Sequence, residues 1–296
     1  MSISVIIPTR NRPRAVESCL DALAAQTLPA GSFEVIVVDD GSEPPLALDP
    51  KRWAAKFDLK VIRQPNTGPA GARNCGVAEA RGEFIAFTDD DCLPTPRWLT
   101  QLEASLREHP GALVGGSTFN GLKGDIFAET SQLIVTLVYE HFNRDSENAY
   151  FFASNNIAVG RDCYLASGGF DADFDSPAAE DREFCDRWRM QRRPLIWESA
   201  ARIEHRHAQN LCGFLRLHWR YGQGAFLYQA KRKERASGTM AEDLGFHRSL
   251  CKVVWVTLSD HPFGRRLQLL SALMLWQMAN ALGFFWAAGM KLLSRT

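Results

Sequence analysis

The sequence predicts an α/β protein with a doubly wound, mostly parallel sheet flanked by helices, followed by a helical C-terminal region. Two observations predict it. Short β-branched apolar runs alternate with helical patterns through the first half of the chain, joined by short loops, which is the signature of successive βα units. Three of those runs also break off into polar or acidic clusters, where a doubly wound sheet places its ligands, beyond the carboxyl ends of the strands.

Residues 3–7 form a β-branched run that reads as a buried parallel strand. After Pro13, the residues Val16, Cys19, Leu20 and Leu23 recur at helical spacing. Further strands are expected at 34–38, 59–62 and 84–88, with a helix over 69–81. Thr95-Pro96 reads as N-cap and first position of a helix carrying Leu99, Leu102 and Leu106. Beyond it a helix is expected over 126–142 and a strand over 150–159. Ser176-Pro177 should cap a helix running to about Arg192, and short strands are expected at 195–197 and 202–204. From Ala208 the pattern is helical to the end. The expected division is a catalytic domain over 1–207 and a helical region over 208–296.

Bulk properties narrow the classes. With 296 residues, 46% hydrophobic and 23% charged, the chain has the composition of an ordered globular protein. Lys plus Arg and Asp plus Glu both number 34, so no overall field argues for nucleic acid. Seven cysteines are scattered without a CxxC pair, which suits a reducing compartment and speaks against a zinc site or disulfide framework. The N-terminal stretch lacks the basic region and the apolar length of a signal peptide, so the catalytic part is expected in the cytoplasm. Residues 267–290 contain no Asp, Glu, Lys or Arg. At ~1.5 Å per residue that stretch is long enough to cross a bilayer core of ~30 Å. Gln268, Ser271, Gln277, Asn280, Gly283 and Gly289 interrupt it, so a helix lying in or against a membrane suits it at least as well.

The chemistry concentrates at strand ends. The first strand runs into Pro8-Thr9-Arg10-Asn11-Arg12 and the second into Asp39-Asp40-Gly41-Ser42. Asp39 reads as a turn cap, whereas Asp40 is expected to meet a ligand. The fourth strand ends in Asp89-Asp90-Asp91. At ~4 Å and an effective dielectric of ~20, each like-charged pair costs roughly 4 kcal/mol. A divalent cation would relieve that repulsion, and oxygen ligands favour Mg²⁺ or Mn²⁺.

Four fragments, Ser4-Val-Ile-Ile-Pro-Thr-Arg-Asn-Arg12, Glu34-Val-Ile-Val-Val-Asp-Asp-Gly-Ser42, Gly71-Ala-Arg-Asn-Cys-Gly76 and Gly82-Glu-Phe-Ile-Ala-Phe-Thr-Asp-Asp-Asp91, stand in order at the spacing of successive βα units. Together they resemble the inverting family-two glycosyltransferases of the GT-A fold, over about residues 3–207. The resemblance implies a nucleoside-diphosphate sugar donor and a Mn²⁺ or Mg²⁺ cofactor. It implies that Pro8, Thr9, Arg12 and Asp40 line the donor site and that Arg73 lies near the donor phosphates. Asp89 and Asp90 would approach ribose and sugar, while Asp91, with Asp89 and His205, would hold the metal. His207 is expected to point away. Glu180-Asp181, after Gly168-Gly-Phe-Asp171, corresponds to the family's general-base pair, with Asp181 as base and Glu180 positioning the acceptor. Acidic residues also suit a helix N-terminus without any catalytic role.

Asn155-Asn156 suits the acceptor cleft or a strand edge equally. Gln191-Arg-Arg-Pro-Leu-Ile-Trp197 lacks the Gln-x-x-Arg-Trp spacing of processive synthases. The implied partners are a uridine- or thymidine-diphosphate sugar and a glycan or lipid-linked acceptor. Residues 211–293, basic and then apolar, suit contact with a membrane surface and a solvated helix face packed on the catalytic domain equally. A sugar-phosphate nucleotidyltransferase would need a Gly-rich loop and lysine after the first strand. A nicotinamide dehydrogenase would need GxGxxG there. Neither is present. A nucleotide-sugar-binding protein without transfer activity is the remaining rival.

Overall fold

The computed structural model describes residues 1–174, 178–240, 245–246, 254, 257–259 and 261–293. Its centre is an eight-stranded sheet. The strands are β1 (Ile3–Thr9), β2 (Phe33–Asp40), β3 (Asp58–Gln64), β4 (Phe84–Thr88), β5 (Cys92–Pro94), β6 (Leu113–Asn120), β7 (Asn156–Gly160) and β8 (Leu195–His205). They lie in the order β3-β2-β1-β4-β7-β6-β8-β5. β3, β2, β1 and β4 run parallel to one another, while β7 pairs antiparallel with both β4 and β6. The expected doubly wound, mostly parallel GT-A architecture is what forms.

The period of two sorts side chains onto two faces. Ile6, Ile36, Val38, Ile85 and Phe87 enter one core; Val5, Ile7, Val35, Val37 and Ala86 enter the other. Helices α1 (Pro13–Ala24) and α3 (Trp98–Glu108) cover the second face. The first is covered by α2 (Gly68–Ala78), α4 (Ile126–Phe142), α5 (Arg161–Ser167) and α6 (Glu180–Met190), joined by α7 (Leu211–Arg235) and α8 (Phe263–Leu293).

Several local expectations change. Thr95 does not cap α3: its hydroxyl donates to Arg202 O at 2.9 Å, and the helix starts at Trp98. β6 and α5 were not legible, because the Gly115-Gly116 pair and the short 161–167 segment carry little pattern. The two short runs expected near 195 and 202 are one strand, β8. Ser176-Pro177 lies outside the described residues. Asn156 is a buried peg, not a cleft residue. Its Oδ1 accepts from Trp98 Nε1 at 2.8 Å, and its Nδ2 donates to Ser117 O and Ala201 O.

The C-terminal helices belong to the same core as the sheet, through Phe214, Leu269 and Trp276. α7 and α8 approach backbone to backbone. A Cβ on Gly283 would stand 1.9 Å from Trp219 O, and one on Gly222 2.0 Å from Asn280 O. Overpacking of this kind costs about 1–3 kcal/mol, so Gly283→Val should lower the melting temperature by several degrees in a thermal scan.

Candidate active site

The loops after β1, β2 and β4 converge at one edge of the parallel strands. Asn11 takes a positive φ of 59°. Its N–H donates to Ser42 Oγ at 2.8 Å and its Oδ1 accepts from Glu43 N at 2.8 Å, which ties the first two loops together. Asp39 is the expected turn cap, accepting from Ser42 N and Leu46 N. Asp40 is held from within the chain: its oxygens accept from Gln64 Nε2, Thr67 N and Gly68 N at 2.8–2.9 Å, at the N-terminus of α2, where the helix dipole favours a carboxylate.

The three carboxylates after β4 diverge. Asp89 Oδ1 accepts from Arg73 Nη2 at 2.7 Å. Asp90 accepts from Thr9 Oγ1 at 2.6 Å and from Arg12 Nη1 at 2.7 Å. Asp91 meets Arg12 Nη2 at 2.6 Å, His205 Nε2 at 3.3 Å and His207 Nδ1 at 2.9 Å. Their mutual repulsion is therefore answered by two arginines and two histidines of the chain, and does not by itself demand a divalent cation. Asp90 and Asp91 are shifted in opposite directions. Burial pushes the Asp90 carboxyl up to about 7, despite Arg12. Asp91 is held well below the usual range: burial opposes its charge, but the hydrogen bonds from His205 and His207 and the charges of His205 and Arg12 together prevail.

Among the described residues, Asp91, His205 and His207 form a group whose ligand atoms lie within 4.8 Å of one another. Two imidazole nitrogens and one carboxylate oxygen are a donor set that fits a Mn²⁺-like divalent ion. Asp89 stands outside this group, drawn to Arg73, so the expected pairing of Asp89 with Asp91 is not formed. His207 does not point away. Residues i and i+2 of an extended segment share a face, and the two rings stack with centroids 5.3 Å apart. Applying the period of two correctly to His205-Arg206-His207 would have found it.

Arg73 is buried between two carboxylates, Asp89 at 2.7 Å and Glu180 at 3.1 Å. It links the carboxylates after β4 to the start of α6. Glu180 is likewise turned inward, since its Oε2 accepts from Ala178 N at 3.1 Å. Asp181 is left half-buried, with only the backbone N–H of Arg182 at 2.8 Å recorded on its carboxylate among the described residues. Burial, and then the charge of Glu180, pushes its carboxyl up to about 7.

The segment before α6 fixes this geometry. Gly168 and Gly169 adopt positive φ, which lets Phe170 fold back against Phe87 of β4 and Phe184 of α6, with ring centroids 5.4 and 4.8 Å apart. Asn74 clamps Phe170 through both its N–H and its C=O. Tyr221 of α7 was not singled out in the sequence; it is 39% exposed and packs edge-on against His218 with ring centroids 5.5 Å apart.

The model for Glycosyl transferase family 2 matches residues 4–169. The chain belongs to that family. It is 34% identical over 117 residues to Glycosyltransferase AglE of Haloferax volcanii, covering 39% of this chain and 38% of that protein. The match thus spans well under two-thirds of that relative's own length. Among solved structures, the mannosyltransferase PcManGT from Pyrobaculum calidifontis, in complex with GDP-Man and Mn²⁺, superposes with a TM-score of 0.65 at 20% identity, covering 98% of this chain and 86% of that one. TarS 1-349 from S. aureus in complex with UDP-GlcNAc superposes with a TM-score of 0.60 at 21% identity, covering 94% and 81%. These two likenesses establish the shared fold.

Proposed function

We propose that the chain is an inverting, metal-dependent glycosyltransferase that moves a sugar from a nucleoside-diphosphate sugar onto a glycan or lipid-linked acceptor hydroxyl. In this reading residues 1–207 bind the nucleotide sugar and carry the chemistry, with 208–296 as a helical region beside them. The observation that supports it most is the pairing of two unlike groups on one edge of the sheet. Asp91, His205 and His207 form a ligand cluster, and Arg73 ties the neighbouring Asp89 to the helix that begins Glu180-Asp181.

A divalent ion held by Asp91, His205 and His207 would neutralise the negative charge on the departing diphosphate. Asp181 accepts the proton of the acceptor hydroxyl as its oxygen bonds to the anomeric carbon and the bond from that carbon to the diphosphate oxygen breaks. A carboxylate pushed up to about 7 is matched to proton transfer near neutral pH. Arg73 holds Asp89 and Glu180 in place, while Thr9 and Arg12 orient Asp90.

Thermal-shift titration with UDP, dTDP and GDP, each with Mn²⁺, Mg²⁺ or EDTA, tests the donor half. A uridine or thymidine diphosphate is expected to raise the melting temperature only when the metal is present. Equal stabilisation in EDTA would remove the metal from the scheme, and a preference for GDP would overturn the choice of base.

A further inference from the structure

The outer face of α8 is apolar and uncovered. Leu267, Met274, Met278, Leu282 and Phe285 follow helical spacing, and each is more than half exposed. They make one stripe along roughly 27 Å of helix. The opposite face, with Leu269, Leu273, Trp276 and Gly283, is buried against the protein. The close backbone approach of α7 and α8 at Gly222 and Gly283 holds that face in place, and Arg265 adds an ion pair to Glu129 of α4. A helix anchored along one side cannot cross a bilayer alone without exposing its packed side.

The border of the stripe is aromatic and basic. Trp286 of α8 lies against Trp219 of α7, ring centroids 5.3 Å apart. Trp219 stands between Arg216 and Arg220, which are exposed and have no acidic partner among the described residues. α8 contains no Asp or Glu, and α7 has only Glu234. Tryptophan at the edge of an apolar face, with unpaired arginines beyond it, matches the layering of acyl chain, interface and anionic headgroup. A second copy of this face fits less well, because within α7 and α8 only Glu234 carries a negative charge that could meet Arg216 and Arg220 of a partner.

We propose that the outer face of α7 and α8 docks on an anionic phospholipid surface, with α8 lying in the plane of the interface. The inference does not depend on the transferase reading, because it uses none of the residues of the candidate active site.

Sedimentation of the full chain with vesicles tests it. Binding is expected to vesicles of phosphatidylcholine mixed with phosphatidylglycerol, to weaken with salt, and to be much poorer on phosphatidylcholine alone. Met278→Glu with Phe285→Glu should weaken partitioning by roughly tenfold or more for the loss of buried apolar surface. Arg216→Gln with Arg220→Gln should weaken it by about fivefold per arginine, and only on the anionic vesicles. Thermal scans of each variant confirm that these exposed positions leave the fold intact. A chain that stays in the supernatant with both vesicle types overturns the proposal. So does a dimer by light scattering that becomes a monomer in Phe285→Glu, which would assign the face to self-association. Retention through an alkaline carbonate wash would show a spanning helix and overturn the in-plane placement.

Discussion

Asp181→Asn is expected to lower turnover by about 10²–10⁴-fold, the usual contribution of a general base, while donor binding by thermal shift stays at the parent level. The isosteric amide keeps the shape of the first turn of α6 but cannot hold the acceptor proton. The pH dependence follows from the same group. Because burial and Glu180 push the Asp181 carboxyl up to about 7 from an ordinary 3.8, the parent rate should rise as pH increases through about 7. Stability runs the other way. Between 3.8 and about 7 the folded chain holds a proton that the unfolded chain releases, so this group lowers stability progressively across that window. Asp181→Asn should therefore melt higher than the parent by a margin that grows from pH 4 to pH 7 and then levels off. Near-parental turnover in the variant would remove Asp181 from the chemistry, and an unchanged melting difference across pH would contradict its raised pKa.

The second large effect is expected at Asp91. Asp91→Asn leaves the cluster two imidazoles and a neutral amide, a poor match for a hard divalent ion. Turnover should fall by about 10²–10³-fold, as when one preorganised stabiliser of transition-state charge is lost. The Mn²⁺-dependent part of the UDP thermal shift should vanish with it. Asp89→Asn is the informative contrast. Asp89 pairs with Arg73 rather than with the histidines, so the variant should keep its response to Mn²⁺. If both variants lost that response equally, the separation of roles among the three carboxylates would fail.

The fold was legible where a single periodic pattern decided it. β1, β2 and β4 are apolar, strand-forming runs with no exposed residue in any of them, so propensity and burial agree. β6, with Gly115-Gly116 in its middle, has no such pattern. It is a strand because it pairs with β7 and β8, and it needs its glycines because a Cβ at Gly115 would collide with the ring of Phe152 and one at Gly116 with Ala201 O, contacts that exist only after the chain has folded.

The candidate site divides in the same way. Asp181 and Asp91 stood out as acidic residues placed after recognisable elements. The inward turn of Arg73 and Glu180 did not, because an ion pair between residues 107 positions apart leaves no local trace. The hydrogen bonds of Asp40 were hidden for a related reason: its partners Thr67 and Gly68 belong to the next βα unit, so nothing beside residue 40 announces them.

The counter-charges around Asp89, Asp90 and Asp91 carry a practical consequence. Arg73, Arg12, His205 and His207 already face these carboxylates, and the Arg12 side chain is 42% solvent-exposed, free enough to swing aside. On the proposal that Asp91, His205 and His207 hold a divalent ion, stripping the protein with chelator should leave it folded and able to regain its metal response on reloading, without a refolding step.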